Sequence, residues 1–427
     1  MEENKVPFSA SVRELLAALC VYVLAYIYHD VLFSADTSDP VFLISLAVFV
    51  VGFAGVGEWL LWERKRKPES WLWLGCTALI LLTMLLRREE DSGVFTPGQS
   101  ALLLHAYAVY WLLCRADLLH GGESSTLLPL DGLFGFFVLP FGSFGLRLRT
   151  LGWGLRSLRK ERKKTDPVTV FTICIVLLLA LALLVLAGQF LSGADADFAK
   201  LLDSLRLEFR PDDSWRSFCW RLVFSLPVGA YLFGLLDGCR RASPEAFRTR
   251  GEDTKKELAA VRRVPGGIFT AVLAAFSVLY LTFFAVQFRY LFGAFTRTLP
   301  EGFIVSEYAR QGFFELCKVM AVNFAILWLV TRCSAARPEE SRLLRILCTA
   351  LLVQSMVFAV IAFSKLALYI SCFGFTPKRL QSSWLVVVLF FGCLCAMDSL
   401  LRGKKRFRLW MDFSGVTLAL LHLFGLF

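Results

Sequence analysis

Mostly apolar runs of about 20 residues recur along the whole 427-residue chain, and each is long enough to cross a hydrocarbon core of roughly 30 Å. A bilayer offers the backbone no water to bond, so a chain that crosses it in separate short runs crosses as helices. The runs lie at about 13–33, 41–62, 71–86, 99–119, 167–191, 217–237, 266–292, 312–331, 343–372, 383–401 and 409–427. They predict an all-α, polytopic integral membrane helical bundle with about 11 transmembrane helices. Composition agrees. With 57% hydrophobic and 19% charged residues, and 40 phenylalanines, there is too little polar surface to cover a soluble core of this size. Met1–Val12 carries acids as well as Lys5, and no small-x-small site follows the first run cleanly. That run is therefore expected to be a retained span and not a cleaved signal.

Lysine and arginine gather in alternate loops, as they do on the cytoplasmic side of membrane proteins. With the N-terminus inside, 32 of the 46 Lys and Arg residues fall in inner segments and 11 in outer ones. Arg221, Lys318 and Lys365 lie within spans. The alternation predicts a cytoplasmic N-terminus and an extracytoplasmic C-terminus. The formal charge of +11 is accounted for by this bias and by attraction to anionic headgroups. The basic residues form no single face with interleaved aromatics, which argues against nucleic-acid binding.

The expected organisation is an N-terminal four-helix membrane region over residues 1–126, an inner-face segment over 127–166, and a C-terminal seven-helix region over 167–427. Within the middle segment, Leu127–Gly152 is broken by Gly, Pro and Phe and reads as a re-entrant or interfacial element ahead of the basic run Arg156–Lys164. On the outer side, Phe198, Leu201, Leu202, Leu205 and Phe209 share one helical face, which predicts a short amphipathic helix on the outer leaflet.

The 12 cysteines lack paired CxxC spacing, and His29, His105, His120 and His422 lack metal-ligand spacing. No Walker loop, nucleophile elbow or dinucleotide fingerprint is present. The sequence therefore supplies no catalytic set, no metal site and no cofactor site.

Charge inside a span is costly and is the default place to look for function. Glu58 sits less than two turns before Arg64 and reads as an inner-interface residue. Asp398 and Asp412 flank a basic loop and can pair with it. Lys365 lies toward the outer end of its span, where its stem can snorkel to water. The stretch Ser306–Leu316 differs from these, because Glu315 and Lys318 stand three residues apart within the eighth span and can form an intrahelical ion pair. Glu307 and Gln311 continue that face, with Arg310 beside it.

Glu307–Leu316 (EYARQGFFEL) resembles the signature Glu-Tyr-Ala-Arg-x-Gly-Phe-Phe-Glu-Leu of an uncharacterised bacterial family of polytopic membrane proteins, a domain of unknown function. Leu368, Tyr369, Ile370, Gly374, Thr376 and Arg379 are similar to a second segment of that family, Leu-Tyr-Ile-x-x-x-Gly-x-Thr-x-x-Arg. Asp131–Phe141 is a looser match. The resemblance covers roughly the C-terminal two-thirds, with Lys365 standing where the family pattern implies Arg. It implies a short polar tail after the last span, where this chain ends at Phe427 in an apolar run. It implies a multi-pass membrane fold in a bacterial cytoplasmic (inner) membrane and no particular activity.

The eighth and ninth spans, joined by a short inner loop, are expected to form an antiparallel hairpin that carries both signatures to the outer face. Glu307, Tyr308, Arg310, Glu315, Lys318, Tyr369 and Arg379 are then candidate ligand-binding residues lining one outward-facing pocket. The guanidinium groups suit a carboxylate or anionic headgroup. Transport or handling of an anionic solute or lipid is one function class. A sensor or scaffold with a membrane protein partner is a second. A membrane-embedded transferase using Asp30, Asp36 and Asp39 on a lipid-linked substrate is a third, with no catalytic spacing to favour it. Membrane lipids are expected partners in every case.

Overall fold

The computed structural model describes residues 8–33, 40–86, 94–158, 213–286 and 305–425. The expected span at 167–191 and the amphipathic segment Asp195–Phe209 lie outside them, as do Asp36 and Asp39. Among the described residues the chain is all-helical and contains no strand. The helices are α1 (Val12–Phe33), α2 (Pro40–Leu60), α3 (Pro68–Leu86), α4 (Pro97–Arg115), α5 (Leu128–Leu133), α6 (Leu139–Gly142), α7 (Leu146–Leu158), α8 (Asp213–Arg241), α9 (Pro244–Ala260), α10 (Gly266–Val286), α11 (Val305–Cys333), α12 (Arg342–Phe373), α13 (Pro377–Arg402) and α14 (Phe407–Leu421). A π-helical turn, Phe134–Val138, joins α5 to α6.

Local chemistry sets many of these ends. Five of the helices begin on proline (α2, α3, α4, α9 and α13), where the missing N–H is no loss and φ is already helical. Ser11 and Glu14 cap α1 reciprocally, and Thr96 and Gln99 do the same for α4. Gly374 (φ +77°) and Gly403 (φ +66°) end α12 and α13 in backbone conformations that a side chain disfavours.

Nine helical segments among the described residues are long and apolar enough to cross a membrane. Eight coincide with expected spans, and the ninth is Leu128–Ser157. The expected spans at 99–119 and 409–427 are helical as α4 and α14 but do not meet that standard. Gln99, Ser100 and His105 dilute α4, and α14 is only 15 residues long. The protein is a multi-pass membrane protein, all-helical over its described residues.

One compact unit comprises Met1–Ser70, Ala108–Leu118 and Asp131–Ser243. Here α1 packs against α2 and α8, and Gly57 of α2 lets Trp111, Leu112 and Leu236 approach closely. Charge collects at one end. Buried Glu14 of α1 meets Arg240 and Arg241 of α8, and both arginines also hold Asp237, each through Nε at 2.8 Å. Arg64, in the α2–α3 connection, donates to the carbonyls of Ala116 (2.5 Å), Arg240 (2.6 Å) and Ala242 (2.6 Å). Three chain ends are thereby tied to one guanidinium, whose pKa burial lowers from its ordinary value. Arg115 donates to Glu58 (2.9 Å) and to the carbonyls of Leu61 and Arg64, while Arg66 also reaches Glu58. Glu58, at the end of α2, is thus paired with Arg115 and Arg66.

The broken segment from α5 to α7 touches the same end of this unit. Gly135 packs on Val109 and Leu113, Tyr231 donates to the Phe136 carbonyl (3.1 Å), Gly234 and Gly238 abut Pro140 and Ser143, and Gly154 abuts Leu15. These partners lie in the last turns of α4 and α8 and the first turn of α1. Length and composition admit Leu128–Ser157 as a span, and its contacts along α1 run from Leu15 to Tyr22.

The second unit comprises Trp71–Tyr107, Leu119–Leu130 and Pro244–Phe427. Its core includes Leu273, Phe313, Met320, Val330, Leu351, Phe358 and Ala362. Val264, ahead of α10, bonds Cys333 (3.0 Å) and Ala335 (2.9 Å) after α11, which pins those two ends together. At the other edge, Trp410 of α14 donates to the Val388 carbonyl (3.0 Å), and Trp384 of α13 donates to Thr417 (2.9 Å). Asp398 pairs with Arg402 and Arg406, and Asp412 with Arg408, so these two acids are held by the basic loop beside them.

Candidate functional site

Helices α10, α11 and α12 form the part of the second unit in which polar side chains are sealed among apolar ones. The Tyr280 hydroxyl of α10 donates to Asn323 Oδ1 of α11 (2.6 Å), and Asn323 Nδ2 donates to Ser355 Oγ of α12 (2.9 Å). Ser355 donates onward to the Leu351 carbonyl (2.8 Å). Beside this chain, Gln354 Nε2 donates to the Ser277 carbonyl (3.0 Å). Asn323 is fully buried, and Tyr280, Ser355, Gln354 and Ser277 are buried as well. Lipid tails are as apolar as leucine, so no hydrophobic force drives such helices together. Packing and interhelical hydrogen bonds hold them.

The same contacts fix the helix directions. Asn323 meets Ser355 and Glu315 acts on Lys365, so moving back along α11 means moving forward along α12, and the hairpin is antiparallel. Ser277 meets Gln354 and Tyr280 meets the Phe358 ring (5.1 Å), so α10 runs parallel to α12. Continuing the hairpin register sets position 310 level with position 369. Both signature segments therefore reach one end of the bundle.

Lys365 departs from expectation. Its side chain is 0% exposed, so it does not snorkel to water at the end of its span. Helical spacing explains why. Residues 351, 355, 358, 362 and 365 follow one another at three- and four-residue steps along α12, and every one of them is buried. Lys365 thus lies on the packed face, above Phe358 and Ala362, and the ammonium is turned into the bundle. The Glu315 carboxylate of α11 acts on it electrostatically across the hairpin.

Glu315 and Lys318 are both exposed on α11 and, among the described residues, do not pair with each other. The electrostatic influence of Glu315 reaches Lys365 on the neighbouring helix. Three residues are too short a step to say which of two packed helices an acid faces.

Arg379 closes the turn from α12 to α13. It donates Nη1 to the carbonyls of Phe373 (2.8 Å) and Gly374 (2.6 Å), and its guanidinium stacks on the Tyr369 ring at 4.0 Å. Gly374 supplies the positive φ, Thr376 the cap position, and Pro377 the first helical residue. Tyr369, Gly374, Thr376 and Arg379 therefore work together as a helix-ending turn. Glu307, Tyr308 and Arg310 lie in the first turns of α11.

Sequence reasoning missed Tyr280, Asn323, Gln354, Ser355 and Ser277. A signal was present, since Asn323 and Gln354 are single amide side chains within long apolar runs. No cluster of metal-ligating side chains occurs among the described residues.

A family model described as a domain of unknown function, DUF4153, matches residues 74–426. The chain belongs to the DUF4153 family. That match takes in α4 to α14 and all of the buried polar chain just described. Comparison with curated proteins and with solved structures gives no match.

Proposed function

We propose that this DUF4153 protein binds an anionic solute or the anionic headgroup of a lipid in an outward-facing site between α11 and α12, and acts in its transport or handling. The observation that carries the reading is the fully buried Lys365 on the packed face of α12. An ammonium taken out of water costs several kcal/mol, and such charges inside membrane bundles mark ligand or ion sites. Glu315 moderates that charge from α11, and the Arg379–Tyr369 turn supports the rim above it. Glu307, Tyr308 and Arg310 begin α11 at the same level and complete the proposed rim. Lys318 is exposed on that helix, one turn further in than Glu315. Arg379 is assigned a positioning role, because its Nη1 already donates to two backbone carbonyls and its plane stacks on Tyr369.

This reading includes eleven spans with the N-terminus in the cytoplasm, in the inner membrane of a bacterium. The alternating loop charges support it, as do the parallel α10 and α12 with α11 running against them. The test is native mass spectrometry of the full chain extracted with its lipids. Lys365→Met is expected to lose a bound anion or anionic lipid that Lys365→Arg retains. Equal retention by the methionine variant refutes the site.

A second reading, a non-catalytic sensor or scaffold, is favoured by one observation. The Tyr280–Asn323–Ser355 chain is closed on itself and knits three helices without asking for a ligand. In that case Lys365→Met leaves the lipid complement unchanged and alters the set of co-purifying membrane proteins.

A further inference from the structure

Arg147, at the second position of α7, lies in the first compact unit, which contains none of the residues of the proposed site. It is 6% exposed. Its guanidinium stacks on Tyr22 of α1, 4.9 Å from the ring centre. A slot of small residues receives it, since a Cβ at Gly229 of α8 would stand 2.6 Å from Nη1 and 3.4 Å from the Ala25 methyl. Among the described residues Arg147 makes no ion pair and no hydrogen bond, and its Nε is sealed from solvent without an acceptor.

The slot lies well inside the unit. Tyr22 is eight residues beyond Glu14 on α1, and Gly229 is eight residues before Asp237 on α8. At 1.5 Å per residue both helices put the slot about 12 Å from the Glu14–Asp237–Arg240–Arg241 cluster. Those two acids are already held by their own arginines, so neither serves Arg147. A lysine can shed its proton when buried, but a guanidinium cannot. A buried arginine facing an aromatic ring, with donors directed at no acceptor, therefore fits an external oxyanion. Its fork matches the geometry of phosphate oxygens.

We propose that Arg147, seated between Tyr22, Ala25 and Gly229, forms a phosphate-binding site within the first unit. The phosphate is that of an anionic phospholipid headgroup or a free phosphate ion. Arg149 and Arg156, exposed on the same amphipathic α7, add long-range attraction for either. The inference does not depend on the Lys365 site, because the two share no residue.

The test uses the full chain in nanodiscs of phosphatidylcholine alone or with phosphatidylglycerol, with thermal unfolding and native mass spectrometry as readouts. Wild type is expected to hold phosphatidylglycerol preferentially if the source is a lipid. If the source is the free ion, inorganic phosphate stabilises it in neutral discs more than sulfate does at matched ionic strength. Either result supports the site, and absence of both overturns it without any variant. Arg147→Met is expected to weaken the effect about tenfold, with Arg147→Lys between it and wild type. Gly229→Ala keeps the charge but evicts the flexible end of Arg147 from the slot, and is expected to weaken binding comparably. Unchanged binding in folded Arg147→Met and Gly229→Ala proteins also overturns the proposal.

Discussion

Replacing Asn323 by Leu removes both interhelical hydrogen bonds of the buried polar chain while keeping the branching at Cγ and the number of side-chain heavy atoms. In membrane bundles such bonds average about 0.6 kcal/mol each, so the pair contributes about 1 kcal/mol. The Tyr280 hydroxyl is then left sealed without its acceptor, which costs about 1–3 kcal/mol more. Ser355 escapes that penalty because it still donates to the Leu351 carbonyl. The expected loss for Asn323→Leu is therefore about 2–4 kcal/mol. Tyr280→Phe alone strands only the Asn323 oxygen, and about 1–2 kcal/mol is expected. Combining the two removes donor and acceptor together, so the double variant falls well short of the sum, with a coupling of about 1 kcal/mol or more. Denaturant unfolding in mixed micelles, followed by tryptophan fluorescence, gives the four stabilities of the cycle. Additivity within about 0.5 kcal/mol refutes the claim that this chain acts as one unit across α10, α11 and α12.

Arg64→Ala frees three carbonyls at once and is expected to destabilise the protein by about 3 kcal/mol, with Arg64→Lys intermediate, as read by thermal unfolding in detergent. Gly374→Ala forces a side chain into φ +77° and is expected to cost about 1–2 kcal/mol, and hydrogen exchange is expected to show fraying confined to the α12–α13 turn. Arg379→Gln, which loses the stack on Tyr369 and part of the carbonyl capping, is expected to fray the same turn while leaving α11 protected. Gly251→Val places a branched side chain against the His120 carbonyl and is expected to lower the melting temperature by several degrees, about 1–3 kcal/mol of overpacking. In a cysteine-free background, thiol labelling in intact cells is expected to modify Thr376→Cys from outside and Lys404→Cys only after permeabilisation; the opposite pattern inverts the proposed topology.

Much of the fold could be read from the chain because its boundaries rest on local chemistry. Proline at five helix starts, glycine at the ends of α12 and α13, and charge beside Asp398 and Asp412 all act within a few residues of where they stand. The hairpin was legible for the same reason, since the short connection from Cys333 to Arg342 leaves two long helices little choice but to pack. What could not be read depended on the identity of the neighbouring helix. Glu315 has Lys318 one turn away in sequence but acts on Lys365, which is 50 residues on. Arg147 appears as one of several arginines in a basic stretch. Only the approach of Tyr22 and Gly229 distinguishes it from exposed Arg149 and Arg156.

Lys365 shows where a better inference lay within the sequence itself. Distance from the end of a span says how far a lysine must reach to find water, but not whether its stem starts on the lipid side or the packed side. The packed side of α12 is marked by its one polar cluster, Gln354 and Ser355, because amide and hydroxyl groups in a bundle face other helices and not lipid. Stepping from Ser355 by three and four residues gives Phe358, Ala362 and Lys365, and then Tyr369, on which Arg379 stacks. The lysine, the buried polar chain and the helix-ending turn thus share one face. On that face a small residue, Ala362, precedes the cation by less than a turn, and Gly229 likewise makes room for the guanidinium of Arg147. In this chain a basic side chain in the membrane region is to be judged by the face it shares and by the small residues beside it, with its depth in the span coming second.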